Sequence, residues 1–322
     1  MLGYPYWYND TGMPRIQDDF LDCVVYLYPT AIDAKSGVAA GGTGFLAGVP
    51  SAKLKGRSFL YAVTNSHVIR EGNSPIVRLN TLDGATDVLP LEPDNWVHHP
   101  DGDDVAVCSI GLSDKYYKFK VVGQKMFLTK DLVAEHNFGP GDDVFFLGRF
   151  MTHEGKQQNL PSARFGNIAM MPWEAVHSSK RGIDQESFLV EARSLSGYSG
   201  SPVFVYIPPL APRPGKGLTS ERYGPFLLGI DWCHLATFEE VLEDDKETPV
   251  PERWYVRSHS GMMAVVPAWK LQEILNLEGL VKERQEFENK ELAEQKKKRG
   301  AAVLDSPKAE GVTKEEFEEA GR

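Results

Sequence analysis

The chain has 322 residues, 35 basic and 45 acidic side chains, a net charge of −10, and 42% apolar and 25% charged residues. This is an ordinary globular composition, long enough for a sizeable core and about two structural units, and its acidity excludes nucleic acid as the main partner, because phosphate binding needs a basic face. No run reaches the roughly 18 apolar residues of a membrane helix, and the N-terminal MLGYPYWYNDTGMPRIQDDF lacks the basic-then-apolar order of a secretory signal.

Cys23, Cys108 and Cys233 are odd in number and far apart. They fit no zinc motif and no disulfide framework, so free thiols and a cytoplasmic location are expected.

Two stretches read as all-β. From Asp18 to Leu112, short apolar segments (FLDCVVYLY, GTGFLAGV, SFLYAVTN, PIVRLN, DDVAVCSI) are separated by Gly, Asp, Asn and Pro clusters. From Lys120 to Pro267 the same rhythm returns in DVFFLGRF, ARFGNIAMM, SFLVEAR, SPVFVYI, PFLLGIDW and GMMAVVP. The polar SDKYYK (Ser113 to Lys118) joins them, and no α/β alternation suggests a parallel sheet. IPPLAPRPGKG (Ile207 to Gly217) is a loop. After Pro267, which suits a first helical turn, Leu271, Ile274 and Leu275 share one face and predict a helix over 268–277 packed on the second β unit. A Glu/Lys-rich stretch follows to residue 299, and the polar segment 300–322 is expected to be disordered. The expected domains are therefore 1–118, 119–266, a helical segment 267–299 and a terminal segment 300–322.

Three short segments carry the chemistry. TNSHVI places His67 directly after an apolar strand, DDVAV places Asp104 at the start of another, and GYSGSP places Ser199 between glycines. Each alone is unremarkable: a surface histidine, a turn-forming aspartate, a flexible loop. Their order, His, Asp, Ser, is that of one class of serine hydrolases and differs from two others. A serine hydroxyl needs an adjacent base, a histidine takes and returns a proton near neutrality, and a buried carboxylate fixes its tautomer. In a tight turn the N–H groups of Gly197 and Ser199 can point at one developing oxyanion.

Together GGTGFLAG, TNSHVI, DDVAV and GYSGSPVF resemble the successive motifs of trypsin-like peptidases of the chymotrypsin fold, nearest to the bacterial Deg/HtrA and glutamyl endopeptidase branch. The resemblance spans roughly Asp18 to Leu275. It implies two six-stranded antiparallel β-barrels with a C-terminal α-helix. It also implies a serine endopeptidase with His67 as base and acid, Asp104 as orienting carboxylate and Ser199 as nucleophile. Asp103 is the alternative to Asp104, which directly precedes the aliphatic-Ala-aliphatic strand; Ser201 is not the nucleophile. For the substrate pocket the resemblance points to Arg193, six positions before Ser199, and to Asp231 in the Gly-Ile-x-Trp segment. Arg193 alone favours an acidic substrate side chain and Asp231 a basic one; a mutual pair would neutralise both. The reading leans to a basic residue through Asp231.

No PDZ-like segment and no zymogen activation site are visible. Control therefore falls to access or to a regulatory protein partner. A silent protease-fold scaffold that binds a partner is the alternative function. His98 and His99 lie near Asp101, Asp103 and Asp104, but a polar loop explains them better than zinc. His234 lies near the expected pocket. There is no P-loop or dinucleotide fingerprint, so the expected reaction uses neither cofactor nor metal and takes a protein or peptide substrate.

Overall fold

A computed structural model describes residues 15–150, 155–178, 181–192, 197–213, 217–218, 222–243, 248–249 and 254–304. Contacts divide the chain into two units, Met1–Pro50 with Ser58–Leu277, and Ser51–Arg57 with Glu278–Arg322.

The first unit is mostly β. Its N-terminal half contains β1 (Val24–Tyr28), β2 (Gly42–Pro50), β3 (Ser58–Thr64), β4 (Ile76–Asn80), β5 (Thr86–Leu89), β6 (Val97–His98), β7 (Ala106–Ile110) and β8 (Val122–Gly123). They form one sheet in the order β5-β4-β1-β2-β3-β7-β6, with β8 parallel to β2. The sheet curls as a half-barrel around Val25, Leu27, Leu46, Ala62, Leu79 and Ala106. Val122 and Gly123 thus belong to the N-terminal sheet, beyond the expected junction at residue 118. All five residues of β1 are buried, which is why VVYLY reads as a continuous apolar run rather than an alternation.

The C-terminal half adds β9 (Asp143–Gly148), β10 (Ser162–Met170), a hairpin of β11 (Ala175–Ser178) and β12 (Ile183–Glu186), β13 (Phe188–Glu191) and β14 (Pro202–Ile207). Two small ladders pair β15 (Pro212–Arg213) with β16 (Gly217–Leu218), and β18 (Leu242–Glu243) with β19 (Thr248–Pro249). The long strands are β17 (Tyr223–Glu240) and β20 (Tyr255–Pro267). Six strands close into a barrel in the order β10-β13-β20-β17-β14-β9. Strand periodicity fills it: Val144 with Phe146, Phe188 with Val190, Val203 with Val205, and Met263 with Val265 share its core. This is the two-barrel arrangement of the chymotrypsin-like fold, with the first barrel open at one side.

Short helices α1 (Asp18–Leu21), α2 (Ala31–Ser36), α3 (Ser66–Arg70) and α4 (Lys130–His136) punctuate the strands. The single expected C-terminal helix is two. The first, α5 (Ala268–Leu275), follows Pro267 and buries Ala268, Trp269, Leu271, Ile274 and Leu275. It ends at Asn276, and α6 (Glu278–Leu304) continues past residue 299. Residues 305–322 lie outside the described residues. Within the second unit, the buried Glu288 carboxylate of α6 accepts hydrogen bonds from Ser51 Oγ (2.5 Å) and the Ala52 N–H (2.8 Å). Among the described residues no helix is long and apolar enough to cross a membrane.

Candidate active site

His67 occupies the first turn of α3, which begins where β3 ends. Its backbone N–H donates to Asp104 Oδ1 at 2.9 Å, and its Nδ1 lies 2.6 Å from Asp104 Oδ2. An ionised carboxylate can only accept, so Nδ1 carries the proton and Nε2 is left as the basic nitrogen. Asp104 is 3% exposed. Burial opposes its ionisation, but the hydrogen bond and charge from His67 and the nearby Arg181 charge outweigh that and hold the carboxyl below its ordinary range.

The rest of Asp104 is also held. Its N–H donates to Gln185 Oε1 (2.7 Å) and its carbonyl accepts from Asn65 Nδ2 (2.8 Å). Arg181, at the turn of the β11–β12 hairpin, donates from Nη1 to the same Oδ2 at 2.9 Å. Arg181 also approaches Glu71 Oε2 (3.7 Å) and lies 5.5 Å from the Trp232 ring centre.

Asp103 turns the other way. It meets Lys270 Nζ (3.0 Å), His99 Nδ1 (3.2 Å) and Gln185 Nε2 (2.6 Å). Glu273 completes this cluster, with His99 Nε2 at 3.1 Å and Lys270 Nζ at 3.4 Å. His99, Asp103 and Glu273 bring potential ligand atoms within 4.8 Å of one another. The Lys270 ammonium already supplies the positive charge there, and its bonds to Asp103 and Glu273 hold it protonated against the opposing effect of burial. His98 points elsewhere: its Nδ1 meets Ser66 Oγ (2.9 Å), and burial with the nearby Arg70 charge lowers its proton affinity.

The Ser199 turn is wedged against the elements that carry His67. Thr43 N–H on β2 donates to the Ser199 carbonyl (2.9 Å), and Thr43 Oγ1 donates to the Gly197 carbonyl (2.7 Å). Gly200 N–H donates to the Asp231 carbonyl (2.8 Å), and Asp231 N–H to the Ser201 carbonyl (2.9 Å). Gly200 has φ +90°, and a Cβ there would lie 1.9 Å from the Thr43 carbonyl oxygen and 2.3 Å from Thr64 Oγ1. The turn therefore sits directly on the ends of β2 and β3, three residues from His67. Gly197 adopts φ +96°. Among the described residues, the N–H groups of Gly197 and Ser199 donate to no other group and Ser199 Oγ makes no hydrogen bond, including none to His67 Nε2. In unliganded sites such bonds are often long and tighten only with substrate.

Tyr198, between Gly197 and Ser199, is fully buried and anchors the turn from below. Its hydroxyl accepts from Arg164 Nε (2.8 Å) and bonds Ser162 Oγ. Of the expected pocket residues, Asp231 is 1% exposed and braces the turn through its backbone. Arg193 lies outside the described residues. His234 stands three residues further along β17, its Nε2 3.3 Å from Arg257 Nη2.

The sequence therefore marks His67 and Asp104, which the fold joins, and the Ser199 turn, but not Arg181, Gln185, Asn65 or Tyr198 as supports. Only Tyr198, an apolar residue inside a Gly/Ser turn, carried a local signal of burial.

No family model matches the sequence, and no curated protein matches it. Among solved structures, the chain is similar to the Rv3671c protease in an inactive form, at 17% identity and TM-score 0.40, covering 80% of this chain and 88% of that one. It is likewise similar to an inactive serine-to-alanine mutant of Rv3671c from M. tuberculosis H37Rv, at 16% identity and TM-score 0.40, covering 80% and 87%.

Proposed function

We propose that this protein is a serine endopeptidase in which His67, Asp104 and Ser199 form the catalytic triad. The observation that carries the reading is the 2.6 Å bond from His67 Nδ1 to a buried, multiply held Asp104, with the Gly-Tyr-Ser-Gly turn packed on the β2 start and the β3 end that leads into His67. Ser199 Oγ attacks the scissile carbonyl as His67 Nε2 takes its proton. The N–H groups of Gly197 and Ser199 receive the oxyanion. Collapse of the intermediate expels the amine, which takes the proton from His67 and leaves an acyl-enzyme. Water, deprotonated by the same imidazole, then releases the acid and restores Ser199.

The preference for basic side chains follows from the place of Asp231 in the Gly-Ile-x-Trp segment, and peptide-library profiling reads it directly. The finer affinity to the Deg/HtrA and glutamyl endopeptidase branch rests on the motifs in the sequence. A reducing, cytoplasmic setting belongs to the same reading, supported by three free cysteines. Burial raises Cys108 to about 11, outside the range of a reactive thiolate at neutral pH.

The test is labelling by a fluorophosphonate probe. Wild-type protein labels, and Ser199→Ala does not. A folded wild-type protein that resists the probe across pH 5 to 9, both alone and with added partner, overturns the assignment. The missing Ser199–His67 hydrogen bond favours a second reading, in which the fold binds a partner protein as a silent scaffold. That reading requires partner capture unchanged by Ser199→Ala together with no labelling under any partner condition. If labelling appears only when a partner is added, the site is an enzyme under partner control.

A further inference from the structure

The hairpin of β11 and β12 grips Asp104 at two points. Gln185 accepts its backbone N–H, and Arg181 donates to its carboxylate. The N–H groups of Arg181 and Gly182 both donate to the Ser178 carbonyl, at 3.0 and 2.7 Å. Arg181 is itself mostly buried, with 15% of its side chain exposed, and its guanidinium lies over the fully buried Trp232 ring. Both Arg181 Nη1 and His67 Nδ1 bond the same oxygen, so the two nitrogens lie within about 5.5 Å of each other.

That geometry has an electrostatic consequence. A histidine base oriented by a carboxylate is stabilised as imidazolium by the full negative charge. Here a second cation already draws on that charge. We propose that Arg181 is a positioning residue of this site: it holds the Asp104 carboxylate from the second barrel and, as a fixed positive charge beside the imidazole, lowers the pH at which His67 becomes competent as a base. The proposal rests on the protease reading for its catalytic meaning, but its effect on His67 is measurable without turnover.

Other charges face the same space. Glu71 and Arg70 lie at the end of α3, His98 on β6, and Asp231 and Cys233 on β17, with Arg257 on β20. All are retained when Arg181 alone is changed, so the difference isolates the guanidinium. Two like charges this close repel across the site even at an effective dielectric of 20. Partial exposure and salt reduce this, leaving an expected shift of about 1 pH unit.

The experiment measures the second-order rate of fluorophosphonate labelling between pH 5 and 9. In Arg181→Met, half-maximal rate moves to a pH about 1 unit higher than in wild type. Arg181→Gln, which still offers Asp104 a donor but carries no charge, moves the same way. Arg181→Lys, which restores the charge, stays near wild type. Unmoved profiles in both uncharged variants, or a lysine variant that shifts as far as they do, overturn the proposal. Titration of the His67 imidazole by NMR, assigned by its loss in His67→Gln, separates the two readings. An unlabelled wild type whose imidazole midpoint still rises in Arg181→Gln refutes the protease assignment and keeps the Arg181 effect. A labelled wild type with no shift in either measurement refutes the Arg181 effect alone.

Discussion

Replacing Gly200 by alanine tests whether the Ser199 turn is held as tightly as its contacts indicate. At φ +90° a side chain costs about 1–2 kcal/mol before any contact is counted. The new Cβ would stand 1.9 Å from the Thr43 carbonyl oxygen, a backbone atom of an inner strand. No rotamer relieves that, so the turn must withdraw by about 1 Å or more. Withdrawal stretches the Thr43 N–H bond to the Ser199 carbonyl and the Gly200 N–H bond to the Asp231 carbonyl, each worth about 1 kcal/mol net. Against this, alanine restricts the unfolded chain and returns up to about 1 kcal/mol. The expected net loss is about 3 kcal/mol, a large fraction of an ordinary domain's stability. A displacement of 1 Å at a nucleophile costs on the order of 100-fold in rate. Urea unfolding followed by tryptophan fluorescence measures the first effect and fluorophosphonate labelling the second. Gly123→Ala is the control: its φ is −69° and no atom lies within 4 Å of the added Cβ, so it changes stability by less than about 0.5 kcal/mol. A Gly200→Ala protein that unfolds with wild type and labels at the wild-type rate refutes the account of the turn.

Two further perturbations follow from the charges. Asp104→Asn leaves the shape of the site but removes the acceptor of the His67 Nδ1 proton, and labelling falls by about 10⁴-fold. Its stability deficit depends on pH in a defined direction. The native Asp104 carboxyl is held below its ordinary range, so its contribution is present above the unfolded carboxylate pKa of about 3.9 and is lost as pH falls through the lower, native value. The gap in urea midpoint between wild type and Asp104→Asn therefore narrows in acid, and a gap that widens contradicts the assignment. In the second unit, Glu288→Gln weakens the bonds that Glu288 accepts from Ser51, Ala52 and Lys53, which lower its pKa. Hydrogen exchange at the Ala52 amide speeds by about 10-fold at pH 7, and unchanged exchange counts against a capping role for that carboxylate.

What could be read before folding was what repeats locally. The short apolar segments, the proline that opens α5 and the motifs around His67, Asp104 and Ser199 are each short-range patterns, and the order of those motifs carries the resemblance that implied the two barrels. The second part of the site is long-range. Arg181 lies 77 residues from Asp104 and sits in a polar hairpin, HSSKRGIDQE, where nothing in spacing or composition distinguishes a buried arginine from a solvated one. Gln185 is equally plain in sequence. Both acquire their roles only because the second half of the chain docks its hairpin on a loop of the first. The extension of α6 past residue 299 is a different case: a helix rich in Glu and Lys has little apolar periodicity, so its end leaves no mark in the pattern.

The adjacent pair Asp103 and Asp104 shows how far a local rule carries and where tertiary contacts take over. In extended chain, neighbouring side chains leave on opposite sides. Here the pair instead sits in a bend, where the Val105 N–H donates to the Asp103 carbonyl at 2.7 Å, and the sequence alone does not say which partner waits for each carboxylate. The fold answers with two cations and two imidazoles. Asp104 meets His67 and Arg181, while Asp103 meets Lys270 and His99. Gln185 ties them together, accepting from the Asp104 N–H while donating to the Asp103 carboxylate. Two bare carboxylates side by side would repel and tend to take up a proton. Each carboxylate has its own cation, Lys270 of α5 for Asp103 and Arg181 of the β11–β12 hairpin for Asp104. The Asp104 carboxylate is thus held by groups from both halves of the chain, His67 from the first and Arg181 from the second.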